Sequence, residues 1–309
     1  MTDANERIAR DYGAIDILIN PHTEHEYADR TLDEGFFDKV RFPVEDRKGV
    51  PIPELVRRLD SGNIEAALLV AAKNGDLRMK GSSHWPIERI AEYCSVAPDR
   101  LFGLAGADAS RISESLRDIE RAVTEFGFVG VHLLPHWFGE APDHAKFYPF
   151  YAKCVELDVP IMMQVGHCLD YQRDRVLPSV GRPITLDRIA IDFPELRLIG
   201  IHVGWPWTEE MIAVAYKHEN VYIAGDAYAP KYWPKEFVHF ADRWRPEKAL
   251  WGSDWPAVDP VRSVREVEEL GMSEKSQRMF LRDNAIKLFK LEKRLRSAST
   301  PARFGGDAA

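Results

Sequence analysis

Ala249-Leu250-Trp251-Gly252-Ser253-Asp254-Trp255-Pro256 is a short apolar run that stops on a single carboxylate. It reads as a brief strand, Ala249 to Gly252, with Asp254 at its C-terminal edge. Two strand units earlier, Leu198-Ile199-Gly200-Ile201-His202-Val203-Gly204 repeats the device with an imidazole in place of the acid. Both runs are almost unbroken in apolar residues, as parallel strands buried on both faces require. Similar runs recur along the chain and alternate with longer helical patterns, the signature of βα units wound around a parallel sheet. Strands are expected at 14–19, 66–71, 101–105, 128–133, 160–165, 197–202, 220–224 and 249–252. Helices are expected near 52–61, 85–97, 110–126, 145–157, 184–193, 207–218, 234–243 and 260–270. This predicts an α/β fold, a (β/α)8 TIM-like barrel, whose chemistry belongs at the C-terminal edge of the strands.

Helix punctuation supports the pattern. Pro53 and Pro86 fall just inside helix starts, where a missing N–H is harmless, and Ser110 is placed to cap the helix that follows it. Residues 273–291 form an extra C-terminal amphipathic helix, expected on the outside of the barrel with Met279, Phe280, Ile286, Leu288 and Phe289 buried. The organisation is therefore an N-terminal arm (1–13), a barrel domain (14–293) and a Ser, Thr, Ala and Gly-rich tail (294–309) expected to be flexible. Two connections, 21–51 and 166–183, are longer than a barrel needs. Long loops on the catalytic face act as lids or clamps, or are simple surface insertions.

Composition bounds the partners. A 309-residue chain fits one barrel, and 45% hydrophobic residues suffice for its core. A formal charge of −8 argues against nucleic acid or an anionic membrane as the main partner. There is no membrane-length apolar run and the N-terminus does not read as a signal peptide. Cys94, Cys154 and Cys168 form no paired spacing, so free thiols and a cytoplasmic setting are expected. There is no dinucleotide fingerprint, P-loop or nucleophile elbow.

The Gly-Ser-Asp-Trp-Pro stretch with the His202-Val203-Gly204 stretch resembles the amidohydrolase superfamily over roughly residues 14 to 290. The similarity is to the branch of aromatic-acid decarboxylases and related hydrolases typified by 2-amino-3-carboxymuconate-semialdehyde decarboxylase. An Asn-Ala pair in the last helix, Asn284-Ala285, fits the same branch. Members carry Asp-x-His-x-His at the end of the first strand and a metal-binding His after the fifth. Here Asp16 is kept, but Leu18 and Asn20 stand at the two His positions and Gln164 at the third. Catalytic zinc takes about three His or carboxylate ligands, so the metal site reads as dismantled and no cofactor is expected. A zinc centre rebuilt from His22, His167, His202 and Asp254 is the alternative.

The resemblance makes Asp254 the base at the reacting centre and His202 the residue that handles protons or polarises the substrate. Without a cation beside it, a carboxylate in a closed pocket becomes a better base; the competing reading of Asp254 is a cap on the helix near Pro260. His167 is a third catalytic candidate, three residues past the lost ligand. Asn20, His22, His132, Gln164, Trp205, Tyr228 and Lys231 are candidate substrate contacts, with Trp205 and Trp207 as an aromatic wall. His25 and Asp226 are weaker candidates. The expected function is metal-independent hydrolysis of an activated carbonyl compound, a lactone or an aryl β-ketoacyl thioester. In the latter case Lys231, Lys235, Arg173, Arg175 and Arg182 would meet the phosphates of a CoA tail. Decarboxylation of an aromatic or β-keto acid, and an inactive barrel used for binding, are the other readings. The family further implies a homodimer, with Tyr228 to Trp244 as its contact segment.

Overall fold

The computed structural model describes residues 10–29, 34–169, 171–172 and 175–295. Most of the predicted arm and nearly all of the tail lie outside the described residues. Eight parallel strands form the barrel: β1 Ala14–Ile19, β2 Ile64–Ala71, β3 Leu101–Gly106, β4 Gly130–Leu133, β5 Ile161–Gln164, β6 Leu198–Ile201, β7 Val221–Gly225 and β8 Ala249–Trp251. Each pairs with the next in chain order. The ring is completed by a parallel bridge between Ile19 and Trp255. There the Asn20 amide donates to the Trp255 carbonyl (2.8 Å) and the Asp254 amide to the Leu18 carbonyl (2.9 Å). The stretch that predicted the fold is therefore the stretch that closes it.

Eight helical segments follow the strands: α1 Ile52–Ser61, α2 Ile87–Ser95, α3 Ile112–Thr124, α4 Tyr148–Glu156, α5 Thr185–Asp192, α6 Thr208–Lys217, α7 Lys235–His239 and α8 Pro260–Glu268. Strand side chains alternate between two cores. Ile15, Ile17, Leu68, Val70, Leu104, Met162, Ile199, Ile201 and Leu250 fill the barrel interior. Leu69, Val131, Met163, Ile223 and Trp251 face outward and meet Leu55, Ile90, Ile119, Phe150, Met211 and Phe237 of the helices. Each fully buried aliphatic side chain contributes about 1.5–3 kcal/mol. Among the described residues no helix is long and apolar enough to cross a membrane.

The helix starts differ from the sequence reading in three places. Ser110 does not cap α3; its hydroxyl donates to Asp108 Oδ1 at 2.6 Å, and the helix begins after Arg111 with no side-chain cap. Pro86 is itself the N-cap of α2. The cap of α8 is Asp259, which accepts from the Arg262 amide at 2.8 Å, so Asp254 is released from that role.

A β-bulge interrupts β1: Asp16 pairs with Ala67 and Ile19 with Leu69, three residues against two. An extra residue breaks the two-residue alternation, and Ile17 and Leu18 both join the interior core. Leu18 thus belongs to the packed barrel and is fully buried.

The C-terminal helix also departs from expectation. It runs Glu274–Arg278, passes through a π turn Met279–Asp283 and ends at Asn284–Phe289. Phe280 and Leu281 pack outside, but Leu288 and Phe289 join the interior core and close the barrel floor. Gly130, the first residue of β4, makes room for this: a Cβ there would sit 3.3 Å from the Phe289 ring and 3.0 Å from Leu104 Cδ2. Asn284 fastens the helix, its Nδ2 donating to the Pro246 and Ala249 carbonyls, both at 2.7 Å. Asn284→Ala leaves those carbonyls without this donor and is expected to cost about 1–3 kcal/mol in urea unfolding. A change within error would show that water replaces the amide.

Candidate active site

The chemistry-bearing residues sit where β6, β7 and β8 end. His202 and Val203 follow β6, Ala227 follows β7 and Asp254 follows β8. All four adopt left-handed backbone, with φ of 66°, 57°, 60° and 54°. For L-residues this costs about 1–2 kcal/mol each, and such strain persists only where surrounding contacts impose it. Those contacts are visible. The His202 backbone N–H donates to the Asp226 carboxylate, and the Asp254 N–H is held by the Leu18 carbonyl.

The side chains form a chain of carboxylate, imidazole, carboxylate and amide. His202 Nδ1 lies 3.2 Å from Asp226 Oδ1 and 3.8 Å from Asp254 Oδ2. Asp254 Oδ1 accepts from Asn20 Nδ2 at 2.7 Å. Asp226 is 1% exposed and makes two contacts to the same histidine, one to backbone and one to ring, so it fixes the imidazole in place. Asp254 reaches the cavity. Two carboxylates beside Nδ1 favour a proton on that nitrogen and leave Nε2 as the basic one. Beneath them Asp16 is fully buried, its Oδ1 accepting from the amides of Ser253 (2.9 Å) and Leu18 (3.2 Å). Burial, opposed by those hydrogen bonds, pushes its carboxyl up to about 7.

The cavity above has a volume of about 130 Å³, comparable to the roughly 150 Å³ apolar cavity that admits benzene. Its size matches a single six-membered ring. Asn20, His22, His132, Gln164, His167, His202, Tyr228 and Asp254 all line it, so the structure brings most of the candidates to one place. His132 Nδ1, Gln164 Oε1 and His167 Nε2 are buried and have no hydrogen-bond partner within the protein. Buried polar atoms in that state call for a ligand or water. Burial, with the neighbouring His202 second, lowers His132 to about 3 and also depresses His167, so both are neutral imidazoles near pH 7. Burial raises the Tyr228 phenol, which keeps its proton. Gly166 (φ 90°) lets the loop after β5 touch the Trp205 backbone, where a Cβ would fall 2.3 Å from the carbonyl; the His167 amide donates to that same oxygen at 2.9 Å.

Other candidates are placed elsewhere. His22 lines the cavity, but its Nε2 contacts the Arg47 carbonyl (2.9 Å) and its ring packs on Phe37, Phe42 and Trp255. It anchors the loop 21–51. Trp205 lines an adjoining trough. Trp207 stacks under Arg182 (4.7 Å), which pairs with Glu210. Lys231 lies beyond both cavities, 3.5 Å from Glu266. Lys235 is exposed, and the side chains of Arg173 and Arg175 lie outside the described set. Sequence reasoning missed Glu26, Asn74, Ser83, Trp85 and Trp137, which also line the cavity. Glu26 is fully buried on Thr23, Tyr93 and Arg89. Asn74 and Ser83 sit on a small hairpin, Lys73–Asn74 against Ser83–His84. No periodicity marks these loops.

Two of the positions where the family carries metal ligands hold an amide and a hydrocarbon here. Asn20 has acceptors on both sides of its amide nitrogen, Asp254 Oδ1 and the Trp255 carbonyl (3.3 Å), so it aims an N–H at the carboxylate. Leu18 is hydrocarbon in the barrel core. Among the described residues no three His, Cys, Asp or Glu side chains converge as cation ligands, the rebuilt set of His22, His167, His202 and Asp254 included.

The sequence profile of the amidohydrolase family matches residues 81–291. The chain belongs to the amidohydrolase family. This amidohydrolase is 33% identical over 135 residues to 2-keto-4-carboxy-3-hexenedioate hydratase of Sphingobium sp., a match spanning 37% of the chain and only 38% of the hydratase. It is 25% identical over 255 residues to γ-resorcylate decarboxylase of Rhodococcus jostii, covering 66% of the chain and 75% of the decarboxylase. Among solved structures it superposes on 5-carboxyvanillate decarboxylase of Novosphingobium aromaticivorans, complexed with manganese and 4-hydroxy-3-methoxy-5-nitrobenzoic acid. The TM-score is 0.68 and the identity 19%, over 94% of this chain and 100% of that one. The protein is thus an enzyme of the amidohydrolase superfamily, with decarboxylases and a hydratase among its relatives.

Proposed function

We propose that this amidohydrolase activates water against the carbonyl carbon of a ring-sized, uncharged compound, a lactone or an aryl β-ketone, without a metal. The observation that carries the reading is the Asp226–His202–Asp254 chain at the mouth of the barrel, with an amide N–H from Asn20 on the acid. Asp254 takes a proton from water as the oxygen bonds to the carbonyl carbon. The carbonyl π pair moves onto oxygen, where the Gln164 amide and the neutral imidazoles of His132 and His167 offer N–H donors. The oxyanion then collapses, the C–O or C–C bond breaks, and the departing oxygen or carbon takes the proton back from Asp254. Asp226 keeps the His202 imidazole oriented beside the reacting atoms.

Charge favours a neutral substrate. Among the described residues lining the cavity there are carboxylates, Asp254 and Glu26, but no Lys or Arg. A substrate carboxylate would enter against like charge in a medium of low dielectric. The charges of Arg182 and Lys231 are already matched by Glu210 and Glu266, which favours a small lactone or ketone over a CoA thioester. Decarboxylation is the second reading, favoured by the similarity to γ-resorcylate decarboxylase over 75% of that enzyme. In it Asp254 would deliver a proton to the ring carbon that loses carbon dioxide.

A panel of aryl lactones, aryl β-ketones, β-ketoacyl thioesters and hydroxybenzoates separates the two. We expect acid release from a lactone or β-ketone, unchanged after exhaustive chelation. Carbon dioxide from a hydroxybenzoate, or activity lost on chelation and restored by zinc or manganese, would replace this reading with the second.

A further inference from the structure

Beside the catalytic cavity lies a second depression of about 450 Å³. His167, Leu169 and Tyr228 line both, so the two are one continuous site with an inner and an outer chamber. The inner chamber carries the acid, the imidazoles and the unpartnered Gln164 oxygen. The outer one is walled by Trp205, Tyr228, Tyr232 and Trp233. Its rings form a shelf: His167 to Trp205 at 4.6 Å between centroids, and Trp205 to Tyr228 at 5.6 Å.

Two features mark the shelf as a binding surface. Trp205 and Tyr232 are 43% and 70% exposed and share one depression rather than being scattered singly over the surface. The shelf is also rigidly built: Trp233 Nε1 donates to the Tyr228 carbonyl at 2.9 Å, and the Trp205 carbonyl accepts from the His167 amide at 2.9 Å. Two cations border the shelf: Lys231 Nζ lies 5.2 Å from the Tyr232 ring centroid and 3.5 Å from Glu266, and Lys39 Nζ donates to the Leu169 carbonyl at 3.1 Å. Flat aromatic walls recognise a planar or apolar group by stacking and area burial.

We infer that the outer chamber is a substrate subsite and that the natural substrate has two parts: a ring-sized reacting head in the inner chamber and an uncharged aryl or apolar tail on the Trp205–Tyr232 shelf. This rests on the reading that the inner chamber holds the reacting group. Continuity with that chamber, through three shared residues, is what assigns the shelf to the substrate's own tail.

The test is isothermal titration of the full chain with phenol and with 4-phenylphenol, on the wild type, Tyr232→Ala and Trp205→Ala. Tyr232 is mostly exposed and outside the inner chamber, so Tyr232→Ala keeps the test meaningful should Trp205→Ala misfold. We expect 4-phenylphenol to bind the wild type at least about tenfold tighter than phenol, as burial of a second ring provides. Each variant should lose at least about threefold of that gain, with phenol affinity in Tyr232→Ala unchanged. A gain that survives both substitutions, or no gain at all, overturns the proposal. So does a dimer in sedimentation that Tyr232→Ala dissociates, since the shelf would then be covered by a second copy. Failure of phenol alone, with 4-phenylphenol still dependent on Tyr232, would uphold the subsite while refuting the inner-chamber reading.

Discussion

Asp254→Asn is expected to reduce kcat by about 10²–10⁴-fold, the usual worth of a positioned general base. The substitution is close to isosteric, and an Asn carbonyl at Oδ1 still accepts from Asn20, so fold and cavity should survive. Phenol binding by titration reports whether they do. His202→Asn should cause a loss of similar order. Asp226 does not itself line the cavity and reaches it only through His202, so Asp226→Asn separates positioning from chemistry: kcat should fall and its pH profile shift, while KM stays within about twofold. These effects will not add, because residues acting as one unit fail together. If Asp254→Asn and His202→Asn both turn over like the wild type, the site has been misplaced.

The second large effect concerns Asp16 and is read in stability. Its folded carboxyl titrates at about 7, against 3.8 for the free group. A raised acid binds more protons folded than unfolded between those values, so its contribution to stability is full below about pH 4 and lost as pH rises through about 7. At about 1.4 kcal/mol per pH unit, the whole swing is about 4 kcal/mol. His132 and His136, lowered by burial to about 3 and about 4, act in the opposite sense. Their contribution is present above about pH 6.5 and lost as pH falls toward those values. The slopes partly cancel in the wild type, and Asp16→Asn removes one of them. In urea unfolding, the variant's stability relative to wild type should therefore rise by about 2–3 kcal/mol from pH 5 to pH 8, the part of the swing that falls in that range. A constant difference across that range would mean that Asp16 is not a protonated acid at neutral pH.

The strands were legible because burial on both faces writes an apolar run that nothing disguises, as at Leu198–Ile201. The acid and histidine were legible because each terminates such a run. The bulge in β1 was not: one extra residue changes no composition, yet it moves Leu18 into the barrel core. Glu26, Asn74 and Ser83 were invisible for another reason. They reach the cavity from loops whose course depends on tertiary contacts, such as His22 on Arg47 and Glu26 on Tyr93. Asp226 looked like one acid among many, because its importance lies in two contacts to a residue 24 positions away. The floor-plugging role of Leu288 and Phe289 also needed the fold, since an amphipathic stripe does not say which surface it meets.

The left-handed residues at the ends of β6, β7 and β8 divide the barrel's labour. The proposed acid and imidazole, Asp254 and His202, lie on one arc of the rim and are held there by unfavourable torsions, while the proposed oxyanion donors His132, Gln164 and His167 line the same cavity from β4, β5 and the loop after β5. Drift among the remaining wall residues can retailor which molecules are admitted without disturbing the acid, the imidazole or those donors. The strained arc has little such freedom, so variants with altered preference should arise at wall residues such as Trp85 and Trp137 and on the exposed rings of the outer chamber.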